Sequence, residues 1–353
     1  MASVFAVNRR STVAGIDWPL TCAPGFRLVH TMKIQTLALG ALILAAEAPV
    51  SAQVDTEAAS CSVDLVVLGV GQDGGAPQLG NSADPAWEDP SLRRLATSVA
   101  IVDRERGERV LFEATPDIRE QLWRLDQVMP VEARPGLDGV FLTHGHIGHY
   151  TGLMFFGHES MGARDVPVYA MPSMSAFLFA NGPWDQLVRY DNIELEDLRA
   201  GVPVEFGGFR VTAFEVPHRQ EYTEVVGYHI AGPDRSALFL PDIDSWEEWD
   251  TWEDGAAMRI EDLIATVDVA YLDATFFANG EIPGRDMSGF PHPFITHSME
   301  RFAALPAGER AKIRFIHFNH TNPVRYPDAP ERDVVEAAGF NLADEGERYC
   351  LGD

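Results

Sequence analysis

The segment Phe141-Leu-Thr-His-Gly-His-Ile-Gly-His-Tyr-Thr-Gly-Leu153 places three imidazoles, His144, His146 and His149, within six residues. Neutral imidazole is a borderline-soft donor suited to Zn²⁺ and related divalent ions. The apolar run Gly139-Val-Phe-Leu142 before it reads as a short strand. A strand ending in a tight turn can aim His144 and His146 at one ion, while His149, on the first turn of a following helix, faces a neighbouring position. The chain holds only 11 histidines in 353 residues, so three in one hexapeptide are poorly explained as scattered surface residues.

Other groups capable of chemistry stand at the ends of apolar runs. Phe209–Val216 and Val225–Ile230 alternate as strands do, and His218 lies between them. Ala237–Asp242 is a buried-type strand ending in a carboxylate, with Asp244 two residues on. Asp273, His292, His317 and His320 lie in the last third of the chain.

The elements that must position these groups read as mixed α and β. Val63-Asp-Leu-Val-Val-Leu-Gly-Val-Gly71 is a β-branched run of the kind buried on both faces of a sheet. Gln72–Pro77 follows as a glycine-rich turn, and it lacks the full dinucleotide-binding fingerprint and the helix that should open after it. Thr97–Val102 and Arg109–Glu113 predict a strand hairpin. Thr115 is placed to cap a helix with Pro116 at its first position. Val166–Ala170 predicts a strand and Met174–Phe179 a helix. The aromatic and acidic run Trp246–Asp254 predicts an acidic surface helix.

The histidine run resembles the His-x-His-x-Asp-His motif of the metallo-β-lactamase superfamily, with Gly148 where that motif has aspartate. The resemblance implies a four-layer αββα sandwich of α/β class. It also implies a hydrolytic centre with His144, His146 and His218 on one ion, and His149, Asp242 and His317 on a second, Asp242 bridging the two. Glycine offers no oxygen, so the second position is expected to be weakened, filled by water or Asp244, or empty. Asp273 and His292 resemble an acidic residue and a histidine that protonate a leaving group, so the expected catalytic set is Asp242, His292 and Asp273. His320 is expected to support or replace a ligand of the second ion.

Further motifs, Ala114–Arg119, Val267–Phe277, Gly289–Pro293, Ile316–Pro323 and Asp328–Arg332, follow the order of the pyrroloquinoline-quinone biosynthesis protein B family, over residues 63–352. The chain departs from that family by keeping the His-x-His pair and by having no cysteine in Asn81–Pro90.

Zinc held by imidazoles with an open position lowers the pKa of a bound water far below that of bulk water, to about 7. The reaction expected is therefore hydroxide attack on an ester, lactone, amide or phosphodiester. One or two Zn²⁺ are expected, with iron or manganese compatible with the same donors. The alternatives are an iron-dependent oxidative enzyme like the quinone-biosynthesis proteins, or a metal-binding protein without catalysis.

Asp and Glu number 53 against 27 Lys and Arg, for a net charge of −26. That balance opposes a nucleic-acid or polyphosphate partner, whose binding needs cationic neutralisation, and favours a small-molecule substrate. It leaves oligomeric state open. Met32-Lys followed by an apolar stretch and Val50-Ser-Ala52 has the layout of a secretory signal. The expected organisation is a leader at 1–31, a signal peptide at 32–52, a linker at 53–62 and a metallo-β-lactamase-like domain at 63–353. The mature protein is then periplasmic or secreted, without stable membrane association; an N-terminal anchor is the alternative. Cys61 and Cys350 flank the domain, and an oxidising compartment would permit a bridge between them.

Overall fold

The computed structural model describes residues 61–252 and 258–353. The expected leader and signal peptide lie outside them.

Among the described residues, fourteen strands form two seven-stranded sheets. The first holds β1 (Val63–Gly69), β2 (Ser98–Asp103), β3 (Glu108–Phe112), β4 (Gly139–Phe141), β5 (Val166–Ala170), β6 (Ile193–Asp197) and the C-terminal β14 (Arg348–Gly352), in the order β14-β1-β2-β3-β4-β5-β6. The second holds β7 (Pro203–Glu205), β8 (Arg210–Glu215), β9 (Val226–Ala231), β10 (Ser236–Leu240), β11 (Val269–Asp273), β12 (Ile313–Ile316) and β13 (Asn341–Leu342), in the order β13-β12-β11-β10-β9-β8-β7. Each sheet begins antiparallel and ends parallel: β3, β4, β5 and β6 pair in parallel in the first, and β10 to β13 in the second.

The period-2 alternation of a strand explains why β1 is apolar throughout. Val63, Leu65 and Val67 face the core shared with the second sheet, where they join Tyr228, Phe239, Tyr271 and Phe315. Val66 and Leu68 face outward and pack with α1 (Ile118–Val128) and the later helix Pro172–Ala180, through Ile118, Leu125, Met174 and Leu178. The second sheet is covered by the helices Trp246–Thr251, Ile260–Ala265 and Ile295–Phe302, through Trp246, Trp249, Ile264 and Phe302. This is the expected αββα sandwich. At its centre Phe112 lies 5.2 Å from both Phe141 and Tyr228, and the Tyr228 hydroxyl donates to the Leu142 carbonyl, tying the sheets together just before the histidine run.

Three expectations are corrected. The first helix starts at Ile118, not Pro116. Thr115 instead closes a local turn by accepting from the Asp117 amide, while Asp117 accepts from Ala96 N and so fixes the helix to the first sheet. The acidic helix exists at Trp246–Thr251, but Trp246 and Trp249 are core residues, because burying two indoles outweighs the solvation of the acids beside them. His320, in the segment after β12, packs against the loop that lacks cysteines: its ring sits 3.2 Å from the Asn81 amide, outside the metal-ligand groupings of the described residues. That loop is held by the buried Arg325–Asp84 pair at 2.6 Å. Cys61 and Cys350 are bonded, with Cα atoms 5.8 Å apart, closing β1 against β14.

Candidate metal centre

Loops at the carboxyl ends of β4, β8, β10, β11 and β12 meet at one rim, the position where open α/β sheets present ligand-binding groups. Four atoms converge there. His144 Nε2 lies 2.9 Å from His146 Nδ1 and 3.4 Å from Asp242 Oδ2. His218 Nε2 lies 3.1 Å from His146 Nδ1 and 3.3 Å from the same Asp242 oxygen. These separations approach the roughly 3.3 Å edge of a tetrahedron with metal–ligand bonds of about 2.0–2.1 Å. The sequence-expected first group is thus assembled, with Asp242 as its fourth donor.

A second group adjoins it. His149, His317 and Asp73 bring one donor atom each within 4.8 Å of one another. His149 Nε2 lies 3.3 Å from Asp73 Oδ1 and 3.6 Å from Asp242 Oδ2, so one oxygen of Asp242 faces both groups. His149 Nε2 and His317 Nε2 are buried without any hydrogen-bond partner. Orphaned imidazole nitrogens aimed at a carboxylate are what a metal site offers and what a dry protein core avoids, so the residues present fit a metal. Asp73 did not emerge from the sequence, where it reads as a turn residue. The available signal was its place in a glycine-rich turn directly after the first strand. Asp244, expected as one way to fill the second position, enters neither group; it lies 2.7 Å from His218 Nδ1 and accepts from Arg219 N, so it orients the ring.

Other groups hold the ligands from behind. Thr275 Oγ1 donates to Asp273 and receives His317 Nδ1 at 2.9 Å, which leaves His317 Nε2 as the lone-pair nitrogen. Glu113, fully buried, lies 3.5 Å from His149 Nδ1. Thr143 Oγ1 is 2.8 Å from His144 Nδ1. His292 Nδ1 lies 2.9 Å from Asp273 and 3.1 Å from Asp242 Oδ1, joining the two expected catalytic carboxylates through one ring. Among the described residues, six non-glycine residues have positive φ, and four of them (Asp73, Glu113, His292 and His317) lie here, the backbone strain expected of a functional site.

The electrostatics sort the histidines. Burial, with the neighbouring His149 charge, pushes His144 well below its ordinary value; burial also lowers His146 and His317. These rings are neutral at pH 7 and ready to ligate. Burial opposes charge on His149 and His292 too, but Glu113, Asp73 and Asp242 together outweigh it for the first, and Asp273 with Asp242 for the second, raising both well above the ordinary range. Burial would raise Asp242, yet His218 and His292 hold it well below the usual carboxylate range.

The β-lactamase superfamily domain model matches residues 108–318. The chain belongs to this superfamily. Within the superfamily it is similar to coenzyme PQQ synthesis protein B: 28% identical over 316 residues to that of Methylorubrum populi, covering 80% of this chain and 98% of the relative. It is 26% identical to that of Xanthomonas campestris, covering 81% and 99%. Among solved structures it resembles Zn²⁺-bound PqqB from Methylobacterium extorquens, with a TM-score of 0.66 at 24% identity over 81% of this chain and 99% of that one. It also resembles a diphosphatase of the PhnP family, with a TM-score of 0.57 at 24% identity over 81% and 96%. The superfamily fold and the His/Asp clusters together mark a metal-binding protein with a hydrolase-like scaffold.

Proposed function

We propose that this protein is an exported metal-dependent hydrolase acting on an ester, lactone, amide or phosphodiester, with zinc as its ion. The observation that carries the reading is the convergence of His144 Nε2, His146 Nδ1 and His218 Nε2 on one oxygen of Asp242. When bound, zinc supplies Lewis acidity and an activated water. The chain's own residues do the rest. Asp242 sets the spacing between the two ligand groups. Asp273 and Asp242 clamp Nδ1 of His292, and the ring keeps 8% exposure, so Nε2 is the nitrogen that holds a proton for a departing oxygen or nitrogen. A cleft of about 460 Å³ beside His218, lined by Arg219, Thr223, Glu224, Asp244 and Trp252, offers a place for a small substrate. The Cys61–Cys350 bond supports an oxidising, extracytoplasmic compartment.

Similarity to coenzyme PQQ synthesis protein B supports a second reading, an iron-dependent oxidative enzyme. Metal analysis of the purified chain separates the two, run beside a His144→Ala/His146→Ala variant. Zinc in the wild type and almost none in the variant, with turnover in an ester, lactone and phosphodiester screen, supports hydrolysis. One iron per chain with dioxygen consumption replaces hydrolysis by oxidation. Wild-type protein that binds no metal ends both readings.

A further inference from the structure

We propose that Asp73 is a metal ligand, supplying the carboxylate of a second ion held with His149, His317 and Asp242; the proposal rests on the metal-dependent reading above. Four observations meet on this residue. Its Oδ1 lies 3.3 Å from His149 Nε2, within the same 4.8 Å grouping as His317. The two imidazole nitrogens it faces are buried and otherwise partnerless.

Gly148, the glycine of the histidine run, is buried, and a Cβ built on it would lie 2.5 Å from Asp73 Oδ1 and closer still to Asp73 Cα. The space a side chain at 148 would occupy is therefore filled by Asp73. A carboxylate reaches this position from the β1 side of the site, and any residue larger than glycine at 148 would expel it.

The turn that carries Asp73 is built to hold it there. Gln72 N donates to the Phe318 carbonyl at 2.8 Å and Phe318 N to the Val70 carbonyl at 2.7 Å, so the turn is hydrogen-bonded to the residue following His317. Gly75 N closes the turn on the Gln72 carbonyl at 2.8 Å. Asp73 itself takes a left-handed φ of 42°, a conformation costly for a residue with a Cβ unless its surroundings enforce it. The competing role is an ion pair with a protonated His149 and no part in metal binding.

Zinc titration by calorimetry, with the bound ions counted by mass spectrometry after gel filtration, decides between these roles without reference to activity. The full chain is compared with Asp73→Asn and with Asp73→Gly, which removes the carboxylate altogether. Glycine is compatible with the left-handed backbone at 73. Outer-shell partners of metal ligands are worth about 10–100-fold in affinity, so loss of a direct ligand should weaken the second ion by at least about 100-fold.

The expected result is two zinc per wild-type chain and one per Asp73→Asn or Asp73→Gly chain, with the first affinity unchanged. Three results overturn the proposal: two ions of unchanged affinity in Asp73→Asn, a single ion in both proteins, or parallel loss of both ions, which would mean a folding role. A wild-type chain that binds no zinc at all is a different failure, because it removes the metal-dependent reading itself.

Discussion

The two ligand groups share one oxygen of Asp242 and are otherwise built differently. The first takes His144 and His146 from a single turn after β4, and His218 and Asp242 from strand ends of the second sheet. The second draws its donors from four places: the turn after β1, the short helix Ile147–Tyr150, the loop after β10 and the end of β12. In the first group the rings are close-set, and burial lowers the pKa of His144 and His146. In the second, His149 lies between Glu113 and Asp73, and both its nitrogens and His317 Nε2 lack hydrogen-bond partners. Two of the first group's four donors come from one turn and keep their mutual spacing when distant segments move, whereas the second group depends on four separate segments. The comparison teaches that the first position should be the tighter and the second the more easily lost.

The largest effect should come from breaking what the groups share. Asp242→Ala is expected to remove both ions and abolish turnover, whereas His218→Ala should empty only the first position and His317→Ala only the second. Metal counts on the three variants check this; equal losses in all three would mean the groups are one site.

The next effect concerns the carboxylates behind the ligands. Asp244→Asn should weaken the first ion by about 10–100-fold through His218, and Glu113→Gln the second by a similar factor through His149. Zinc titrations that show each variant affecting the other group would contradict the assignments.

A smaller effect is a difference in pH response. In metal-free protein, His149 and His292 have folded-state values raised well above their ordinary 6.5. A raised value contributes stability that is complete below the unfolded 6.5 and is lost as pH climbs through the folded value. Chelated protein should therefore melt at progressively lower temperature from pH 6.5 upward, and Glu113→Gln should flatten that decline. Zinc affinity should run the opposite way, falling as pH drops below about 6.5, because the ion competes with protons for imidazole. A melting temperature in chelator that rises between pH 6.5 and 9 would contradict the first half.

The smallest effect lies outside both groups. Arg301 bridges Asp250 and Glu261 on the helices over the second sheet. Arg301→Ala should cost about 1 kcal/mol or less in denaturant unfolding and leave metal content unchanged.

Much of the fold was legible because burial imposes a local pattern. The apolar runs at Val63–Gly71, Val166–Ala170 and Ala237–Asp242 coincide closely with strands, since a strand covered on both faces must be apolar at successive positions. Helix starts were less legible: Asp117 rather than Thr115 lies at the helix boundary because its carboxylate is drawn to Ala96 N on the neighbouring sheet. The tryptophans of Trp246–Thr251 were misplaced toward solvent because their acidic neighbours are visible in the sequence and the core they enter is not.

The sequence by itself determined part of each ligand group, because His144 and His146 of the first and His149 of the second share one short segment whose geometry is local. It also determined that the run lacks a carboxylate at Gly148. Only the tertiary structure decided where a carboxylate is found. Asp73 reaches the gap because the turn after β1 hydrogen-bonds to Phe318 beyond β12, and those segments meet only once both sheets have closed on their common core. Donor chemistry is written in single residues, whereas the angle and distance at which donors meet are fixed by contacts between segments far apart in the chain.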